Sequence, residues 1–125
     1  MWRRANEGIE LMKAIVVEGD QTLVWKEVPA PALGPKEVAI AVKATAINRA
    51  DLMQRRGLYP PPLGASSVLG LECAGIVSAV GDETVRFKVG DAVCALLPGG
   101  GYAEQVRLLG DSEAKTSVEP PPPHY

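Results

Sequence analysis

Asn48, Asp51, Tyr59 and Glu72 are the side chains in this sequence whose types and spacing could do chemistry together. Glu72 stands inside the apolar run LGLECAG, bracketed by Gly70 and Gly75, and a carboxylate buried there needs a partner. One reading makes it a structural acid, satisfied by backbone donors or a cationic neighbour at a barrel seam. The other makes it an acid/base group, which requires a partner and a pocket within reach. Asn48 both donates and accepts through its carboxamide, which suits holding a carboxamide or quinone oxygen; equally, it is a helix cap. Asp51 could equally be a first-turn acid favoured by the helix dipole. Tyr59 sits beside three prolines in a fixed loop and either packs its ring or offers its hydroxyl to a ligand.

Other chemistry-bearing residues read as ordinary structure. Gly99-Gly100-Gly101 invites a phosphate-loop reading, but a phosphate cradle needs a helix N-terminus after the glycines. YAEQV follows instead, a strand pattern, so the triplet is a turn between strands. Cys73 and Cys94 have neither CxxC spacing nor a His-rich neighbourhood, and each reads as a small buried hydrophobe rather than a disulfide or zinc ligand. The sole histidine, His124, is next to last in the chain and reads as solvated.

These candidates depend on a set of short elements. KAIVV (Lys13 to Val17) and TLVWKEV (Thr22 to Val28) read as a hairpin across EGDQ, followed by a surface loop, PAPALGPKE, that its prolines bar from being helical. A strand over Val38 to Ile47 then leads at Asn48 into a short helix, Arg49 to Arg56, which Gly57 ends. YPPPLGASS is irregular. Val68 to Gly81 reads as a strand with a glycine bulge, Gly81 to Leu97 as turn, loop and strand, and Pro98 to Val106 as a tight turn into one more strand. Many short strands with one short helix imply a mainly β, barrel-like domain of Greek-key character, without internal repeats. The first eleven residues read as a dispensable extension, and the segment with four consecutive prolines after the last strand as an extended or disordered tail.

Composition narrows the function classes. At 125 residues the chain can bury roughly two-thirds of its unfolded surface, so one core forms without staples. With one Phe, two Trp and three Tyr, aliphatic side chains must fill it. A net charge of -2 is too balanced to attract nucleic acid or anionic lipid. Neither a transmembrane run nor the h-region of a secretory signal is present, which makes the cytoplasm the expected location.

Taken in order, NRADLMQRRGLYPPPLGAS (Asn48 to Ser66), VLGLECAG and VGDAVCALLPGGGYAEQV (Val89 to Val106) closely resemble zinc-independent NAD(P)H:quinone oxidoreductases of the medium-chain dehydrogenase/reductase superfamily. The likeness runs from about Met12 to Val106. It implies a GroES-like distorted β-barrel over 12–108 with one or two short helices, an N-terminal extension over 1–11, a Pro-rich tail over 109–125 and disordered termini. In that superfamily this region walls one side of the active-site cleft, and a Rossmann domain supplies the pyrophosphate-binding turn for NADH or NADPH. The sequence departs from the pattern at RLLGDSEAK, so a truncation, a frameshift or an alternative C-terminus is expected. Family homodimers form through the Rossmann domain, so this chain is not expected to dimerise in that way.

The resemblance also addresses metal. Zinc-dependent members carry Gly-His-Glu where this sequence has Gly70-Leu71-Glu72, and a cysteine near the position of Asn48. With both ligands replaced, no catalytic zinc is expected. The implied chemistry is hydride transfer to an acceptor that is already easy to reduce, a quinone, whose reduced form water can protonate. By matched position, Asn48 lies near the nicotinamide ribose or the substrate oxygen, Asp51 orients its neighbours, and Tyr59 lines the quinone pocket. Asn48 and Tyr59 are accordingly also the expected cofactor contacts. Two alternatives accompany this expectation: an enoyl-thioester reductase of the same superfamily, and a non-catalytic GroES-like binding module.

Overall fold

Hydrophobic alternation and glycine punctuation give two antiparallel sheets. The computed structural model describes residues 3–4, 10–58, 66–110 and 116–117. The first sheet has the order β1-β2-β3, from Arg3–Arg4, Glu10–Glu18 and Thr22–Pro29. The second has the order β7-β4-β5-β6-β8, from β4 (Glu37–Thr45), β5 (Glu72–Val80), β6 (Ala92–Leu96), β7 (Gln105–Leu109) and β8 (Thr116–Ser117). One helix, α1 (Arg49–Arg55), lies among the described residues and follows β4.

The two sheets share the segment from Tyr102 to Glu104. On one side the Ile15 N–H donates to the Tyr102 carbonyl (2.8 Å) and the Glu104 N–H to the Lys13 carbonyl (2.9 Å); on the other, the Val42 N–H donates to the Glu104 carbonyl (2.9 Å). This segment thus runs beside β2 and then enters β7 beside β4. This shared corner closes the two sheets into the expected barrel-like domain.

The main core is aliphatic, as the scarcity of aromatics requires. Val38 and Ile40 of β4, Cys73 and Val77 of β5, Val93 and Ala95 of β6, and Val106 of β7 pack together with Phe87 and Leu97. Every second residue of β5 and β6 points inward, the period-two pattern of a half-buried strand. Burial of each large aliphatic side chain contributes about 1.5–3 kcal/mol. β4 lies between β7 and β5, and Ala39 on its other face is buried too. Register shifts near Ala39/Ile40 and Val42/Ala44 bend it against β5. Gly75 permits that bend: a Cβ there would stand 2.1 Å from the Ala41 carbonyl oxygen.

Three sequence readings change. β5 begins at Glu72 rather than Val68, because Gly70 has φ +109 and the carbonyls of residues 68–70 bond instead to the glycine turn at 100–102. Strand pairing also reaches into both end segments: Arg4 pairs with Glu10, and Thr116 with Ala95. The third change concerns Cys94, which is exposed, whereas Cys73 is buried as expected. β6 turns Val93 and Ala95 inward, so alternation places Cys94 outward.

Burial, reinforced by the neighbouring Cys94, pushes the Cys73 thiol up to about 11 from an ordinary value of 9.0. The folded chain holds that proton after the unfolded chain has released its own, so this contribution to stability is complete below about pH 9 and is lost as pH rises toward 11. With a thiol-titrating disulfide reagent at neutral pH, one fast phase is expected. Cys94→Ala should abolish it, and Cys73 should react only as the chain unfolds; a fast Cys73 would contradict its burial.

Candidate functional site

The site forms where β4 runs out. Asn48 is the N-cap of α1, with extended backbone (φ -121, ψ 152), and Asp51 stands one turn later as the third helical residue. The Asp51 carboxylate turns back: its Oδ2 accepts the Asn48 N–H at 2.8 Å, satisfying a donor that the start of a helix leaves open. Asp51 is 4% exposed and is the one buried residue of α1. Leu52 and Met53 are exposed, so apolar burial by the helix's own residues does little to seat it.

A second donor reaches Asp51 from across the fold. The Tyr102 hydroxyl makes a short hydrogen bond to Asp51 Oδ2, with the Ala46 carbonyl as a further acceptor at 3.2 Å. Asp51 Oδ1 is buried and has no hydrogen-bond partner among the described residues. Tyr102 is held well above the usual tyrosine range, first by burial, then by its bond to Asp51 and by the negative charges of Asp51 and Glu72. It therefore keeps its proton at physiological pH and acts as a donor.

Glu72 opens β5. Its Oε2 accepts from Asn48 Nδ2 at 3.1 Å, while Thr45 Oγ1 donates to its backbone carbonyl at 2.8 Å. The partner of this acid is a side-chain amide, not the backbone donors or cation that the sequence suggests. Asn48 consequently joins both acids: its main chain binds Asp51 and its side chain binds Glu72. The assembly can hold a carboxamide at a fixed place beside two carboxylates.

Of the residues singled out in the sequence, Asn48, Asp51 and Glu72 come together, and Tyr59 lies outside the described residues. Sequence reasoning missed Tyr102. The available signal was an aromatic residue bearing a hydroxyl directly after three glycines, where the chain must pass close to other backbone. Leu71 is half-buried, and its carbonyl accepts the Leu97 N–H at 2.8 Å. Among the described residues no three His, Cys, Asp or Glu side chains are grouped to hold a metal ion. No helix among them is long and apolar enough to cross a membrane.

Comparison with known proteins gives the same outline. The family model described as alcohol dehydrogenase GroES-like domain matches residues 34–115. A quinone oxidoreductase of Pseudomonas aeruginosa is 45% identical over 87 residues, which cover 69% of this chain and 26% of that protein. A trans-enoyl reductase of Pyricularia grisea is 38% identical over 87 residues, covering 69% of this chain and 22% of that one. Among solved structures, Escherichia coli quinone oxidoreductase complexed with NADPH superposes with a TM-score of 0.69 at 32% identity, covering 87% of this chain and 32% of that chain. The chain thus spans between about a fifth and a third of the length of these relatives.

Proposed function

The chain belongs to the alcohol dehydrogenase GroES-like domain family, and from that premise we propose that it is the substrate-side part of an NAD(P)H-dependent quinone oxidoreductase. Oxidoreductases of this kind are its relatives, and the hydride chemistry is an inference for the whole protein. The observation that carries the reading is the Asn48 carboxamide at the start of α1, held by Glu72 through its own N–H and by Asp51 through the main chain. A group that can donate and accept suits a carbonyl or carboxamide oxygen.

The site also fits a nicotinamide nucleotide on an observation of its own. Asp51 Oδ1 is a buried acceptor without a donor among the described residues, and the ribose hydroxyls and carboxamide of such a cofactor are donors. Asn48 would hold it, with Tyr59 as a further proposed contact. When bound, the reduced nicotinamide supplies the hydride. The work of this chain is to orient and to keep water out: Asn48 sets the position of the acceptor oxygen, and Asp51 and Glu72 fix Asn48. Tyr102 holds its proton and shares it in a hydrogen bond to Asp51, with the Ala46 carbonyl as a further acceptor.

Because the chain spans about a quarter of its Pseudomonas relative, turnover is a property of a longer protein in this reading. The purified chain alone is expected to show no NADPH-driven reduction of an ortho-quinone. The direct test replaces the corresponding part of the Escherichia coli quinone oxidoreductase with residues 12–108. That chimera should reduce 9,10-phenanthrenequinone faster than it reduces an enoyl thioester, and Asn48→Ala should lower kcat/KM for the quinone by roughly 10–100-fold, the loss of one well-placed polar contact. The trans-enoyl reductase relative supports the second reading, and a preference for the enoyl thioester would establish it.

A further inference from the structure

Helix α1 is seven residues long, and its one buried side chain is a carboxylate. Its exposed Leu52 and Met53 do not seat it, so its position depends on what Asp51 binds. The partner is Tyr102, whose own backbone is bonded on both sides. The Tyr102 N–H donates to the Leu69 carbonyl at 2.9 Å, its carbonyl accepts from Ile15, and the next residue, Ala103, bridges to Ala14 of β2. A rigid corner between the sheets therefore presents a hydroxyl to the start of a weakly anchored helix.

We propose that Tyr102 is the positioning residue of this site: by binding Asp51 Oδ2 it fixes the start of α1 and so sets where the Asn48 carboxamide stands. The same carboxylate oxygen that accepts the phenol accepts the Asn48 N–H, so the two residues are linked through one atom. Asn48 in turn reaches Glu72 on β5, which closes a chain of hydrogen bonds from the corner through α1 to the sheet. Tyr102 touches no reacting atom in this scheme; its influence on quinone reduction rests on the function proposed above and passes entirely through Asp51 and Asn48.

The test is run on the full chain without quinone or nucleotide, so its result is independent of whether the quinone reading survives. In the 1H–15N spectrum, Tyr102→Phe should shift the backbone and side-chain amide signals of Asn48. Exchange of the Asn48 N–H should speed up by about tenfold, the effect of losing one hydrogen bond that holds the cap. Ile40 and Val77 in the core should stay protected. Asp51→Ala, which removes the shared acceptor, should produce shifts at Asn48 of the same kind, and adding Tyr102→Phe to it should change Asn48 little further, since the path runs through Asp51. A general loosening would instead act additively and reach Ile15 and Ala103. Unchanged Asn48 exchange in a folded Phe variant, or additive effects in the double variant, would overturn the proposal. Should the Phe variant fail to fold, 3-fluorotyrosine at position 102 keeps the ring and alters the donor. Asn48 signals that do not respond to it would overturn the proposal equally.

Discussion

Gly70→Ala is expected to cost about 4 kcal/mol or more, a large part of what holds a domain of this size together. Gly70 has φ +109, where any L side chain is strained, and a Cβ would stand 2.5 Å from the Tyr102 nitrogen and 2.6 Å from the Gly101 Cα. Both neighbours are backbone and cannot swing away as a side chain tip can. The bonds that would have to give are Gly101 N–H to the Gly70 carbonyl (3.0 Å) and Tyr102 N–H to the Leu69 carbonyl (2.9 Å), which seat the corner between the sheets. Gly57→Ala is the control. It too has positive φ (+73), but nothing lies within 4 Å of its Cβ, so it should cost only the roughly 1–2 kcal/mol of left-handed backbone. Denaturant unfolding of both variants isolates the close approach from the strain; equal losses would mean that the contact with Tyr102 carries no energy.

That glycine also marks where sequence reading stops. The apolar run from Val68 onward has the composition of a strand, and only the pairing of residues 68–70 with the distant turn at 100–102 shows that β5 starts at Glu72. Local pattern sufficed for the hairpin, for β4 and for α1 with its cap, because each depends on neighbours within a few residues. It also singled out Asn48, Asp51 and Glu72, which the fold brings within hydrogen-bonding reach of one another. The donor on Tyr102 lies 51 residues from Asp51 and shows no spacing that periodicity could register. Its role comes from barrel closure, a non-local event. Cys94 failed for the opposite reason: composition suggests a buried thiol, but the phase of a five-residue strand decides the face, and that phase is set by Val93 and Ala95.

Asp51→Ala should be the most damaging change within the site, lowering stability by about 2–4 kcal/mol in denaturant unfolding. Two donors lose their acceptor at once, the Asn48 N–H and the Tyr102 hydroxyl, and a buried donor left open costs about 1–3 kcal/mol. Loss of the cap at the start of α1 falls within the same range. Working against this, the variant also removes a buried carboxylate oxygen that has no partner of its own among the described residues, which is why the two donors do not simply add. Asp51→Asn keeps an acceptor for the donors and should lose less. Both variants remove the charge that helps hold Tyr102 in its protonated form, so tyrosinate absorbance should show one tyrosine ionising at lower pH than in the parent chain. The sign for stability follows. In the parent chain the folded state keeps the Tyr102 proton above the ordinary value of 10.0, so stability falls as pH rises beyond about 10, and this part of the fall should shrink in both variants. A parent chain whose three tyrosines all ionise together would separate Tyr102 from Asp51 in solution, and would remove the physical basis for a carboxylate that organises the site.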